Sequence, residues 1–128
     1  MKKFIGVPFS DQQNQGFSGA NCYGLVKLFY REYLGIDIPE LRVHSDHSNK
    51  VWATYLREIN DNWKTVKEPK IYDVVAMAQD KKHPRIVQHV GIYLGNGKVL
   101  HTLSKINSHI VSLESVKHSI KGFHRWQS

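Results

Sequence analysis

The amino-acid sequence predicts an α+β fold in which N-terminal helices pack on a curled antiparallel β-sheet. Three observations predict this class: helical spacing of apolar residues in the first half, strand-like apolar runs in the second half, and a tight-turn signal at Asn96-Gly97. Helices that precede an antiparallel sheet are typical of α+β proteins. With 128 residues, 41% of them hydrophobic, the chain fits one domain over residues 1–128.

The first helix is predicted over residues 22–34, after a loop at 5–21 that is rich in Gly, Ser, Asn and Gln. Asn21 stands where an N-cap residue is preferred, and Gly35 stands where a helix commonly ends. The apolar residues of this segment have helical spacing and form a wide face: Leu25, Val26, Leu28, Phe29, Tyr33 and Leu34. A second helix is predicted over about residues 49–59, where one side is again apolar: Val51, Trp52, Tyr55, Leu56 and Ile59.

The remaining elements are predicted to be strands. Residues 71–78, 87–94 and 98–103 are apolar runs, and Asn96-Gly97 between the last two is a strong hairpin signal. Weaker strand patterns follow around 109–113 and 122–126. These runs together predict the antiparallel sheet.

The composition limits the partners that we expect. A formal net charge of +7 favours anionic partners such as a carboxylate-rich cell wall, although a solvated basic surface explains it equally well. The basic residues are scattered and no nucleic-acid-binding signature is present, so we expect no nucleic-acid partner. No apolar run approaches the ~18 residues of a membrane helix, so we expect no membrane insertion. Met1 to Pro8 is too short for the apolar core of a signal peptide, and we expect cytoplasmic synthesis without one.

Cys22 is the one cysteine of the chain, so it forms no intramolecular disulfide. Its role is therefore a question of reactivity and not of cross-linking. It falls on the first turn of the predicted helix, where exposed N–H groups and the helix dipole favour a negative charge. A thiol there is expected to have a pKa below the free value of ~8.5 and to act as a thiolate nucleophile. The alternative is that Cys22 is a small buried apolar residue.

His89 and His101 are the candidate partners of a thiolate, because each lies in one of the two strands that the Asn96-Gly97 turn joins. If that turn is a tight two-residue loop, Gly95 pairs with Lys98. An ideal hairpin would then place the two histidines on opposite faces of the sheet. A β-bulge or a longer loop would bring them to one face. The spacing leaves both arrangements open.

The other histidines give weaker signals. His44 and His47 could suggest a metal site, but no further ligand follows at a suitable spacing, so a solvated loop is the better interpretation. His83 precedes a proline in a basic loop. Three more histidines lack a distinguishing context: His109, His118 and His124.

Several segments taken together resemble a known family. They are Asn-Cys-Tyr-Gly-Leu-Val at 21–26, Gly-Ile-Asp-Ile-Pro at 35–39, His-Val-Gly-Ile-Tyr-Leu-Gly at 89–95, the histidine at 101 in the next strand, and Gly-Phe-His-Arg-Trp at 122–126. In this order, over nearly the whole chain, they resemble the NlpC/P60 cysteine peptidases, and among these the phage-tail members.

The resemblance implies a papain-like fold and a catalytic site made of Cys22, His89 and His101. Cys22 would be the nucleophile, His89 the base, and His101 the residue that orients His89. The implied reaction is hydrolysis of a peptidoglycan stem peptide at a bond between D-glutamate and a diamino acid. No metal or organic cofactor is implied. The implied setting is a phage or prophage tail, with other tail proteins as partners.

Two positions depart from the family pattern. Asn21 stands where members usually carry Asp, and Phe9 stands where many carry a Tyr whose hydroxyl could donate a hydrogen bond. These departures keep open a second function, in which the domain is a structural or assembly component of a tail tip. A related acyltransferase or amidase is a further alternative, although the order of cysteine before histidine argues against the permuted transferases.

Overall fold

The computed structural model describes residues 1–10, 16–39, 62–82, 84–85, 87–103 and 106–127. The predicted second helix at 49–59 lies outside the described residues, as do His44, His47 and His83. No helix in the described part of the chain is long and apolar enough to cross a membrane.

Helix α1 spans Cys22–Phe29 and continues into a π-helical turn at Tyr30–Leu34. The Asn21 side chain accepts a hydrogen bond from the Gly24 N–H at 2.7 Å, which satisfies one of the free donors of the first turn. At the other end Gly35 has a left-handed backbone with φ of +69°, as a helix C-cap commonly does. The predicted helix over 22–34 and both of its caps are therefore confirmed.

Six strands form one antiparallel sheet in the order β1-β6-β2-β3-β4-β5. Their ranges are Trp63–Val66 for β1, Val74–Met77 for β2, His89–Gly95 for β3, Lys98–Leu103 for β4, Ile106–Ser112 for β5 and Ile120–Trp126 for β6. A short helix α2, Leu113–Val116, links the last two strands. The five predicted strands are confirmed with adjusted ends. Strand β1 was not predicted, because its four residues WKTV carry a polar pair that hides the strand pattern.

The main core lies between α1 and one face of the sheet. Phe4, Leu25, Val26, Phe29, Ile92 and Leu100 are all buried in this cluster. A smaller cluster covers the opposite face and includes Val75, Met77, Val99 and Val116. Since both faces are covered at the centre, strands β2, β3 and β4 are held in fixed positions, and the site that they carry is held with them.

The hairpin between β3 and β4 contains the β-bulge that decides where its histidines point. Ile92 pairs with Leu100 and Tyr93 with Val99, but Gly95 pairs with Lys98, so Leu94 is an extra residue on β3. The two-residue turn is formed by Asn96 and Gly97, both at positive φ (53° and 71°). The bulge changes the parity of the pairing and therefore brings His89 and His101 to one face.

A backbone corner at residues 70–73 ties the sheet to α1. Asp73 is buried and receives two hydrogen bonds from the Arg125 guanidinium, at 2.9 and 2.8 Å. It also accepts the Lys70 N–H at 2.7 Å. The Tyr30 hydroxyl donates to the Tyr72 carbonyl, which links the end of α1 to the same corner. The corner thus anchors β2 beside the strand that carries His89.

Candidate active site

Cys22 is held at the start of α1, against the beginning of β3. Its Sγ lies 3.8 Å from the Gln88 carbonyl oxygen, to which the thiol donates. The residue before the cap is fixed by the N-terminal segment, because the Ala20 N–H donates to the Pro8 carbonyl at 2.9 Å. The cysteine therefore sits beside the residue that immediately precedes His89.

His89 and His101 meet on the same face of the sheet. His89 Nε2 and His101 Nδ1 are 2.8 Å apart, and the two residues are only 6% and 2% exposed. Gly91 lies between them on β3 and permits this closeness: a Cβ on Gly91 would come within 2.8 Å of Val99 and 3.2 Å of the His101 Cβ. The structure therefore realises the bulged alternative for the hairpin and not the ideal one.

Burial keeps the groups of the site uncharged at rest. Desolvation raises the pKa of the Cys22 thiol, and backbone N–H groups of Val90, Tyr23 and Cys22 oppose the rise only in part. Desolvation, and then the charges of His101 and His109, lower the pKa of His89 to about 3. The same two kinds of cause, burial first, lower the pKa of His101 to about 4.

The expectation that the helix N-terminus lowers the pKa of the thiol is therefore wrong for the resting protein. The donors of the helix are present, but removal of the sulfur from water is the larger effect. A neutral thiol beside neutral imidazoles suits general-base catalysis, in which His89 accepts the thiol proton as the sulfur attacks.

The structure describes both residues that depart from the family pattern, Asn21 and Phe9. Asn21 is 8% exposed, and its side-chain oxygen is used by the helix cap described above. Phe9 is half-buried and pairs with Ala20 through a parallel backbone bridge, so its backbone lies beside the residue two positions before Cys22. Phe9 has no hydroxyl and donates no hydrogen bond from its ring.

One histidine near the site was missed by sequence reasoning. His109 on β5 pairs with His101 on β4, and their ring centroids are 4.7 Å apart. Only the register of the β4–β5 pair brings His109 to His101. The sequence does not reveal this register, because the residues between the two strands form no clear turn motif. His118 and His124 lie elsewhere: His118 is exposed after α2, and His124 contacts Thr65 on β1. Among the described residues, no group of three or more His, Cys, Asp or Glu side chains could hold a metal ion.

Comparisons with known proteins agree with this architecture. The NlpC/P60 family profile matches residues 6–127. Similar solved structures include the NlpC/P60 domain of the peptidoglycan hydrolase SagA, with 21% identity and a TM-score of 0.63, covering 98% of this chain and 92% of that one. Comparison with curated proteins gives no match.

Two further structures share the fold at low identity. NlpC2 from Trichomonas vaginalis has 18% identity and a TM-score of 0.69 over 99% of this chain, which spans 44% of that one. The peptidoglycan hydrolase RipB from Mycobacterium tuberculosis has 22% identity and a TM-score of 0.60 over 97% of this chain, which spans 60% of that one. Both are therefore longer proteins that include such a domain.

Proposed function

Because this chain belongs to the NlpC/P60 family, we propose that it is a cysteine peptidase that hydrolyses the peptide part of bacterial peptidoglycan. Two of the structures that it resembles are described as peptidoglycan hydrolases. The observation that carries the proposal is the position of the Cys22 Sγ, 3.8 Å from the carbonyl oxygen of Gln88, the residue before His89, together with the 2.8 Å between the imidazoles of His89 and His101.

In this proposal Cys22 attacks the carbonyl carbon of the scissile amide while His89 takes the thiol proton. His89 then gives that proton to the leaving amine, and water hydrolyses the resulting thioester. His101 holds the His89 ring through their hydrogen bond. The Cys22 backbone N–H at the start of α1 would supply part of an oxyanion hole. No step requires a metal or an organic cofactor.

We further propose that the bond is the one between D-glutamate and the diamino acid of the stem peptide. Stem peptides carry carboxylates, and the net charge of +7 favours such an anionic polymer. We propose a phage or prophage tail as the setting, with other tail proteins as partners. This setting rests on the likeness of the segments around Cys22 and Trp126 to tail members of the family.

The first test is the Cys22→Ala variant in a digestion of purified peptidoglycan. Loss of the nucleophile is expected to lower the release of peptide amines by a factor of roughly 10⁴ or more, because the residues of such a site act as a unit. Ser18→Ala, a change at a polar residue outside the site, is the matched control and should digest normally. Digestion by Cys22→Ala at the wild-type rate would exclude the proposed mechanism.

A structural role in a tail tip is the second candidate function. Phe9 favours it, because a phenylalanine cannot donate the hydrogen bond that a tyrosine hydroxyl offers at that position. This role predicts that wild type and Cys22→Ala both fail to digest peptidoglycan but bind tail proteins equally well. The Phe9→Tyr variant would distinguish a weakened enzyme, whose rate should rise, from a domain without activity.

A further inference from the structure

His101 carries a buried nitrogen that has no hydrogen-bond partner. Its Nδ1 faces His89 Nε2 at 2.8 Å, whereas its Nε2 is buried and unpartnered among the described residues. A buried polar atom without a partner is costly and calls for an explanation. The group that Nε2 faces therefore decides whether this nitrogen is more stable with a proton or with an unshared lone pair.

The ring of His109 lies against His101 from the neighbouring strand. The two residues are direct partners in the β4–β5 register, with ring centroids 4.7 Å apart and planes inclined by 59°. His109 Nδ1 donates to the Asn107 carbonyl oxygen at 2.8 Å, which fixes the ring and places the proton of neutral His109 on Nδ1. His109 is partly exposed, so solvent reaches it more easily than it reaches the other two histidines.

Two neutral arrangements of protons are possible along His89 and His101. In the first, His89 Nε2–H donates to His101 Nδ1, and the His101 proton sits on Nε2. In the second, His101 Nδ1–H donates to His89 Nε2, and the His89 proton sits on its own Nδ1. Only the first leaves His89 Nδ1 bare, and a bare nitrogen is what can accept the proton of Cys22.

We propose that His109 is a positioning residue that selects the first arrangement, by presenting a neutral aromatic ring to His101 Nε2–H. The inference rests on the proposed peptidase function, since it concerns the base of that site. A neutral ring has an electron-rich face that favours an N–H beside it. A cation at the same place would instead favour a bare nitrogen, and the pair would shift to the second arrangement, in which His89 is no base.

This assignment makes activity depend on the charge at position 109. The histidines that face His109 are His101 on β4 and, behind it, His89 on β3; the segment Gly6–Pro8, which pairs with Ser108 on β5, carries no charged side chain. Activity is therefore expected with a neutral ring at position 109 and is expected to fall with a cation there.

The deciding experiment is ¹⁵N NMR of histidine-labelled protein at pH 8, because imidazole nitrogen shifts distinguish protonated from bare nitrogens. Wild type and His109→Phe are expected to show His101 protonated on Nε2. His109→Lys, which holds a permanent charge at the same place, is expected to show increased protonation on His101 Nδ1. Protonation of His101 on Nδ1 in the wild type would overturn the proposal.

Peptidoglycan digestion gives the second measurement. The value of kcat/KM for His109→Lys should fall about tenfold or more below that of the wild type at pH 8, whereas His109→Phe, the conservative variant that keeps a neutral ring, should retain most of the activity. His118→Lys, the same change at an exposed histidine, should digest at the wild-type rate. Digestion by His109→Lys at the rate of His109→Phe would overturn the proposal. If the wild type digests nothing, the proposed function fails, and the NMR result still decides the role of His109.

Discussion

Two regions of the sheet bury polar side chains in opposite ways. At the β2–β6 pair, Asp73 is buried with every contact matched: two bonds from Arg125 and one from the Lys70 backbone. At the β4–β5 pair, His101 is equally buried, but one of its nitrogens has no partner among the described residues. The first arrangement holds strands together, and the second leaves one polar atom of the proposed site without a hydrogen bond. In this sheet the polar group with all of its hydrogen bonds has a structural role, and the one with an unpartnered nitrogen belongs to the proposed catalytic site.

Asp73→Ala tests the region of the sheet in which the buried polar group has all of its hydrogen bonds. Removing one partner of a buried ion pair typically costs about 3 kcal/mol or more, and we expect roughly 3 kcal/mol here because Arg125 is one-third exposed and can be solvated. Urea unfolding measures the change. The control is Glu114→Ala, whose ion pair with Lys117 is exposed and should contribute less than about 0.5 kcal/mol. Equal stability changes in the two variants would show that burial does not distinguish these pairs.

The sequence predicted most of the fold through local signals that act over a few residues. Asn21 and Gly35 marked the ends of α1, and Asn96-Gly97 marked the hairpin, because caps and turns depend on local backbone chemistry. The sequence left the bulge open, since Leu94 looks like any other strand residue. The register of the β3–β4 pair in the structure shows that Leu94 is the extra residue of the bulge.

The direction of the pKa shift of Cys22 could not be predicted from the sequence for a similar reason. The position of Cys22 on a first helical turn is local, and it suggested a lowered pKa. The opposing effect comes from atoms far along the chain, at Gln88 and the start of β3, which lie against the sulfur and reduce its contact with water. The contact of His109 with His101 is likewise a matter of strand register. Long-range packing decides both, and no short motif encodes it.

The smallest expected effect is on alkylation of Cys22 by iodoacetamide in His89→Asn compared with the wild type. Because burial raises the pKa of the thiol, alkylation should be slow at pH 7 and should rise only above the ordinary thiol range of ~8.5. His89 is neutral at these pH values, since its pKa is about 3, so it contributes no charge that would stabilise a thiolate. The two profiles should therefore agree within about twofold. A wild-type plateau below pH 7 that disappears in His89→Asn would instead establish a preformed ion pair, and the site would then resemble a charged dyad more than the neutral one described here.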